Sequence, residues 1–129
     1  MIAIYLGEVE RDDLIVQVAD FCLQFEGVQW VAVAGKLGAN LVIAIRNHGF
    51  GRANAGDLVK RLFSDIGNAG GHRNMAKAII PMRRWSERER VTRKVEIERR
   101  LRELFTRGIL GEAETTNGRV HTVSSRGGA

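Results

Sequence analysis

The sequence is poor in cysteine, proline and histidine. One cysteine in 129 residues, Cys22, excludes an internal disulfide and agrees with a reducing cytoplasm. Three scattered histidines (His48, His72, His121) and that single cysteine exclude a zinc site of the usual Cys/His spacing. The longest apolar runs, Trp30 to Gly35 and Leu41 to Ile45, are too short to span a bilayer. No basic stretch followed by a long apolar one opens the chain, so neither a signal peptide nor a membrane partner is expected. With 44% hydrophobic and 27% charged residues in 129, a wholly disordered chain and a two-domain enzyme with a large cleft between full-sized halves are also excluded. The length fits one domain.

The net charge of +5 is local. Residues 83–107 carry ten Arg and Lys against five acids, and the rest of the chain is balanced. The basic character therefore belongs to one segment, not to a surface that would wrap a polyanion.

The pattern along the chain alternates strands and helices. Ile2 to Leu6 is a short apolar run ended by Gly7, expected as a buried strand. Asp12 or Asp13 can cap a helix over 12–26, whose apolar residues Leu14, Ile15, Val18, Ala19, Cys22 and Phe25 fall at helical spacing. Cys22 lies on that apolar face as a buried, inert thiol. Val28 to Gly35 and Asn40 to Arg46 form a hairpin around Lys36-Leu37-Gly38-Ala39. Both strands are apolar on both faces, so elements should cover both sides; Trp30 is expected in the core. A polar loop, Asn47 to Gly56, leads to a helix over 57–66. Gly67 to His72 breaks it as a glycine-rich loop. Ala76 to Pro81 reads as a further strand, with Pro81 at its end.

Ser86 and Glu89 have capping-box spacing and predict one helix from there to Gly108. Its charge reads as a solvated face of Glu/Arg pairs or as a contact for a partner. From Glu112 the chain is polar and small; Asn117-Gly118 could turn a hairpin, and Ser124 to Ala129 looks like a frayed end. The fold expected is α/β (α+β): a single domain with a mixed sheet of four or five strands and helices packed on it. Its parts are a core over 1–82, a closing basic amphipathic helix over 83–108, and a partly disordered tail over 109–129.

The most informative stretch is Gly70-Gly71-His72. Adjacent glycines open backbone conformations closed to other residues and let a ligand approach the amides, which can form an anion nest. A histidine beside them can bond a phosphate oxygen or stack on a base. The same pair also serves as a helix C-cap, and a lone histidine can be structural.

The stretch from Tyr5 to Pro81 resembles the C-terminal domain of DHH-family phosphoesterases, the group of RecJ-like exonucleases and nanoRNase/pAp-phosphatase proteins. The resemblance is carried by Tyr5-Leu6-Gly7-Glu8-Val9-Glu10, Ala19-Asp20-Phe21, Leu41-Val42-Ile43-Ala44-Ile45-Arg46 and Ala55-Gly56-Asp57-Leu58. It continues in Ile66-Gly67-Asn68-Ala69-Gly70-Gly71-His72 with Met75-Ala76, similar to the family's GGGH segment. The segment 83–107 resembles the family's closing helix. Two departures stand out. Ala69 replaces the first glycine, and Lys77-Ala78 replaces the usual small residues, which narrows the pocket or adds positive charge to it.

The resemblance implies a substrate-binding domain for short oligonucleotides, pAp or related nucleotides. Its binding residues would be Arg46, Gly70, Gly71, His72, Arg73 and Asn74, with Arg46 holding a phosphate through its fork. It implies no catalytic or metal-binding residue in this chain. Catalysis would belong to an N-terminal DHH domain carrying a manganese pair that activates water, so the parent protein would be a cytoplasmic hydrolase and this chain alone inactive. A homodimer is a further expectation. The alternative is a stand-alone nucleic-acid-binding or dimerisation module using 83–107.

Overall fold

The computed structural model describes residues 1–48 and 53–121, those from 112 onward as backbone. The expected loop 47–56 falls partly, and the frayed end 124–129 wholly, outside the described residues. Nine elements follow in order: β1 (Ile2–Glu8), α1 (Asp12–Cys22), β2 (Trp30–Leu37), β3 (Asn40–Asn47), α2 (Ala55–Phe63), β4 (Asn68–Gly71), β5 (Met75–Pro81), α3 (Met82–Glu89) and α4 (Lys94–His121). The strands form one mixed sheet of order β1-β2-β3-β5-β4. β1 runs parallel to β2, and every other pairing is antiparallel. This is the α+β single domain with a mixed sheet that the alternating pattern predicts.

The sheet is apolar on both faces because strand side chains alternate. Val31, Val33, Val42 and Ala44 meet Ile15, Ala19 and Cys22 of α1 on one face. Ala32, Ala34, Leu41, Ile43, Ile45, Ala76, Ala78 and Ile80 meet α2 and α4 on the other, with Leu58, Phe63, Ile97, Leu101 and Phe105. Trp85 of α3 closes this second core. It is fully buried, its indole N–H donates to Val91 O at 3.0 Å, and Phe63 packs between it and Phe105, with ring centroids 6.4 and 5.8 Å away. Burying such aromatics supplies area and fixed geometry together.

Several boundaries differ from the sequence reading, each for a physical reason. α1 stops at Cys22, and residues 23–27 form turns around Leu23, Gln24 and Phe25 amides that reach back to Ala19, Phe21 and Cys22 carbonyls. The hairpin turn is the two residues Gly38-Ala39, so β2 extends to Leu37. Trp30 is half-buried, packed at the margin of the larger core. α2 begins at Ala55 because Asn54 is its cap, accepting from Asp57 N at 3.0 Å.

Two corrections are larger. The glycine-rich stretch is not a loop: Asn68–Gly71 is an edge strand paired with Met75–Pro81. The single helix from Ser86 is two helices. Ser86 lies inside α3 and caps nothing; Arg90 stands in the left-handed region with φ 61° and ends α3, and α4 starts at Lys94. The backbone then stays helical through 108 and through 117–118, where a tail and a hairpin were expected, and reaches His121.

Candidate functional site

The sheet register brings the sequence-selected residues to one end of the sheet. Arg46 stands opposite Met75, and Met75 O accepts from His72 N at 2.7 Å. Arg46, Met75 and His72 therefore form one row across β3, β5 and the residue that follows β4. Two strand spacings separate the outer members, roughly 10 Å. The next row is Ala44, Lys77 and Gly70, and the one after it Val42, Ile79 and Asn68. Directly opposite residues share a face, so these rows lie on the α1 side of the sheet.

Only half of that face is covered. α1 packs on β2 and β3, while Met75 and Ile79 on β5 are 43% and 38% exposed and Asn68, His72, Arg73 and Asn74 are exposed. The result is an open floor of two apolar side chains with Lys77 between them. Strand alternation explains it: Ala76, Ala78 and Ile80 point into the core while Met75, Lys77 and Ile79 point out. That period of two in Met75 to Pro81 is the signal by which sequence reading could have found this floor. Lys77 stands out in the sequence only as a departure from a motif, and the sequence reading does not single out the exposed pair Met75 and Ile79.

The wall of the floor is α1. Asp12 and Asp20 lie two turns apart, on the side of the helix that faces β5 and the end of β3. Lys77 Nζ donates to Asp12 Oδ2 at 2.6 Å. This hydrogen bond, and then the charge of Lys77, holds the Asp12 carboxyl below its ordinary value. Arg46 Nε donates to Asp20 Oδ1 at 2.8 Å. Arg46 is 9% exposed, whereas the Asp20 side chain is more than half exposed.

The glycines divide their work. Gly71 has φ 149°, and a Cβ there would come within 2.5 Å of Ala76 Cα and 2.6 Å of Met75 O. Only glycine fits, for reasons internal to the fold. Gly56 at the start of α2 is equally constrained, since a Cβ would lie 2.6 Å from Gly71 O. A Cβ at Gly70 would meet only the Lys60 side chain, at 3.4 Å. Gly70 thus has room for a side chain where Gly71 has none, its nearest neighbour being the Lys60 side chain.

The glycines stand in a ladder, not in an open loop. Gly70 is opposite Lys77 in the ladder. The carbonyls of the turn that follows are engaged: His72 O accepts from Gly56 N at 2.9 Å, Arg73 O from Ala55 N at 2.7 Å, and Asn74 O from Asn47 N at 3.1 Å. Arg73 O also accepts from Asn47 Nδ2. The first amides of α2 are consumed by this turn, so the helix terminus is satisfied from within. The side chains of Arg73 and Asn74 are exposed, and their carbonyls tie the turn to α2 and to Asn47.

The basic segment is largely occupied with itself. Arg88 donates to Leu62 O and Asp65 Oδ1, each at 2.7 Å, and Arg84 to Asp65 O at 3.1 Å, so α3 caps the end of α2. Glu89, its side chain 5% exposed, is held by Arg88 and by Arg100. Arg83, Arg93 and Arg102 pair with Glu87, Glu96 and Glu98. These contacts favour the reading of a helix face with internal ion pairs.

No family model matches the chain. An uncharacterised protein of Methanocaldococcus jannaschii is 33% identical over 78 residues, 60% of this chain. The chain spans 15% of the length of that relative. The crystal structure of the C-Ala domain from Aquifex aeolicus alanyl-tRNA synthetase is similar to this chain, with a TM-score of 0.50 and 21% identity over 60% of this chain and 72% of that one. That likeness is one of fold, and it agrees with the mixed sheet described above.

Among the described residues no three His, Cys, Asp or Glu side chains cluster so as to hold a metal ion. The described residues do not fit a manganese pair. No helix among the described residues is long and apolar enough to cross a membrane.

Proposed function

We propose that this chain is a nucleic-acid-binding domain that holds nucleotide phosphates on the open half of its sheet. The observation that carries the reading is the row Arg46, Met75 and His72, with Lys77 and Gly70 in the next row, at the margin where α1 ends and leaves the β5 side of the face open. Guanidinium, imidazole and ammonium groups suit phosphate oxygens, the exposed Met75 and Ile79 suit the flat face of a base, and Gly70 lets a ligand lie against backbone. A domain of the same fold in a tRNA synthetase accords with a nucleic-acid partner.

At finer grain, the motifs from Tyr5 to Pro81 support the substrate-binding domain of a DHH-family phosphoesterase acting on short oligonucleotides or pAp-like nucleotides. Hydrolysis would then belong to a separate metal-dependent domain. The rival reading, a nucleic-acid contact through the basic helices, has less support because Arg84, Arg88, Arg93, Arg100 and Arg102 serve acceptors within the fold.

The test is calorimetric titration of a 5′-phosphorylated oligoadenylate into the wild type, Lys77→Ala and Arg99→Ala. Binding that falls with Lys77→Ala and persists in Arg99→Ala is expected. Loss confined to Arg99→Ala would transfer the site to the basic helices, and no binding to any of the three would end the proposal.

A further inference from the structure

The two cations deepest in the open half-sheet are already facing carboxylates. Lys77, between Met75 and Ile79, turns to Asp12 at 2.6 Å; Arg46 meets Asp20 at 2.8 Å. Both aspartates come from one helix, eight positions apart, or about 12 Å along its axis. Their side chains are half-exposed, while the guanidinium of Arg46 lies behind Asp20. A phosphate approaching Arg46 from solvent encounters Asp20 first, whereas Lys77 is itself 39% exposed and meets Asp12 side by side at the surface.

We propose that Asp12 and Asp20 are built-in competitors for these two cations, each carboxylate standing where a ligand phosphate would bind. This inference rests on the phosphate-binding reading above. Lys77 carries its charge on a flexible stem and needs no carboxylate to reach the floor, so Asp12 does not serve to position it. Each carboxylate lowers the pull of the floor on stray anions and must be displaced by a ligand. Arg46 and Lys77 are one strand and two residues apart, roughly 8 Å. Because their charged ends turn to carboxylates two helical turns apart on α1, one phosphate engages one of them; a ligand with two phosphates displaces both aspartates. The favoured ligand class is therefore an oligonucleotide over a nucleoside monophosphate.

The experiment compares a fluorescein-labelled oligoadenylate and AMP on the wild type, Lys77→Ala, Asp12→Asn, Asp20→Asn and Asp12→Asn/Asp20→Asn. Asparagine keeps the size and one acceptor oxygen, and Asp12 is on the exposed rim, so Asp12→Asn tests the idea without threatening the fold. Asp12→Asn should tighten oligoadenylate binding about two- to fivefold at low salt, the range of an exposed ion pair. The salt dependence should steepen as Lys77 becomes available to release a counterion. The two substitutions should multiply for the oligonucleotide and not for AMP. Unchanged or weaker binding in Asp12→Asn would overturn the inference, since a positioning carboxylate gives that sign. If Lys77→Ala binds as the wild type does, the phosphate-binding reading itself fails; if it loses affinity while Asp12→Asn gains none, only the competition fails.

Discussion

Arg46 and His72 flank Met75 in a single row. Arg46 opposes Met75 on β3, and His72 donates its amide to Met75 O from the end of β4. Residues 26 positions apart in the chain thus border one patch of the sheet, and one ligand can touch both.

His72→Ala and Arg46→Ala should each weaken oligonucleotide binding about tenfold, the scale of one hydrogen bond to a charged group. A double-mutant cycle should show coupling of at least about 0.5 kcal/mol. Calorimetry on both single variants and the double variant decides it, with circular dichroism confirming the fold. Strictly additive losses would mean separate contacts.

The glycines should separate binding from stability. Gly71→Ala places a Cβ 2.5 Å from Ala76 Cα at φ 149°, so it should lower Tm sharply, by more than about 2 kcal/mol of stability. Gly70→Ala has room, and should leave Tm nearly unchanged while weakening the ligand. Thermal melts and titrations of the two variants provide the check; equal melting temperatures would contradict the division.

Arg90 is the one described non-glycine residue at positive φ, 61°. A left-handed L-residue costs about 1–2 kcal/mol, partly offset by the greater freedom glycine has in the unfolded chain. Arg90→Gly should therefore raise stability by up to about 1 kcal/mol, measured by denaturant unfolding. A loss would show that the Arg90 side chain matters to the corner.

Acid should weaken the link between α1 and β5. The Asp12 carboxyl lies below its ordinary value of 3.8 because Lys77 bonds to it. A lowered carboxyl adds stability that is fully present above its unfolded value and disappears as pH falls through the folded one. The contribution of Asp12 should thus be constant near neutrality and fade only from about pH 4 downward. Comparing Tm of the wild type and Asp12→Asn across pH 2–7 tests this: the gap should close at the acid end. A gap that instead opened at the acid end would contradict the sign.

The chain alone should show no phosphodiesterase activity, with or without manganese. Its described acids and histidines do not converge in threes. Robust manganese-dependent turnover by pure protein would overturn the binding-domain reading.

Most elements were legible because their patterns are local. Ile15, Ala19 and Cys22 repeat at helical spacing and do face the sheet; the β-branched runs at 30–47 do form the central hairpin. β4 was not legible, since Asn-Ala-Gly-Gly has little strand propensity and pairs only because β5 is beside it. The corner at Arg90 carries no glycine or proline to announce it. Arg46, Gly70 and His72 were selected from the sequence, and the register places them in adjacent rows. The aspartates facing Arg46 and Lys77 were hidden, because their partners lie 26 and 65 residues away and only the folded helix turns them the same way.

The turn at 72–74 has a consequence for the thermodynamics of association. Its three successive carbonyls are all engaged by Ala55, Gly56 and Asn47, so its peptide planes have little freedom left to lose. A ligand meeting His72 orders side-chain torsions rather than a loop, and the entropic cost of recognition on that side is small. Association there should resemble docking onto a preorganised surface, with an on-rate set by diffusion and charge rather than by a folding step.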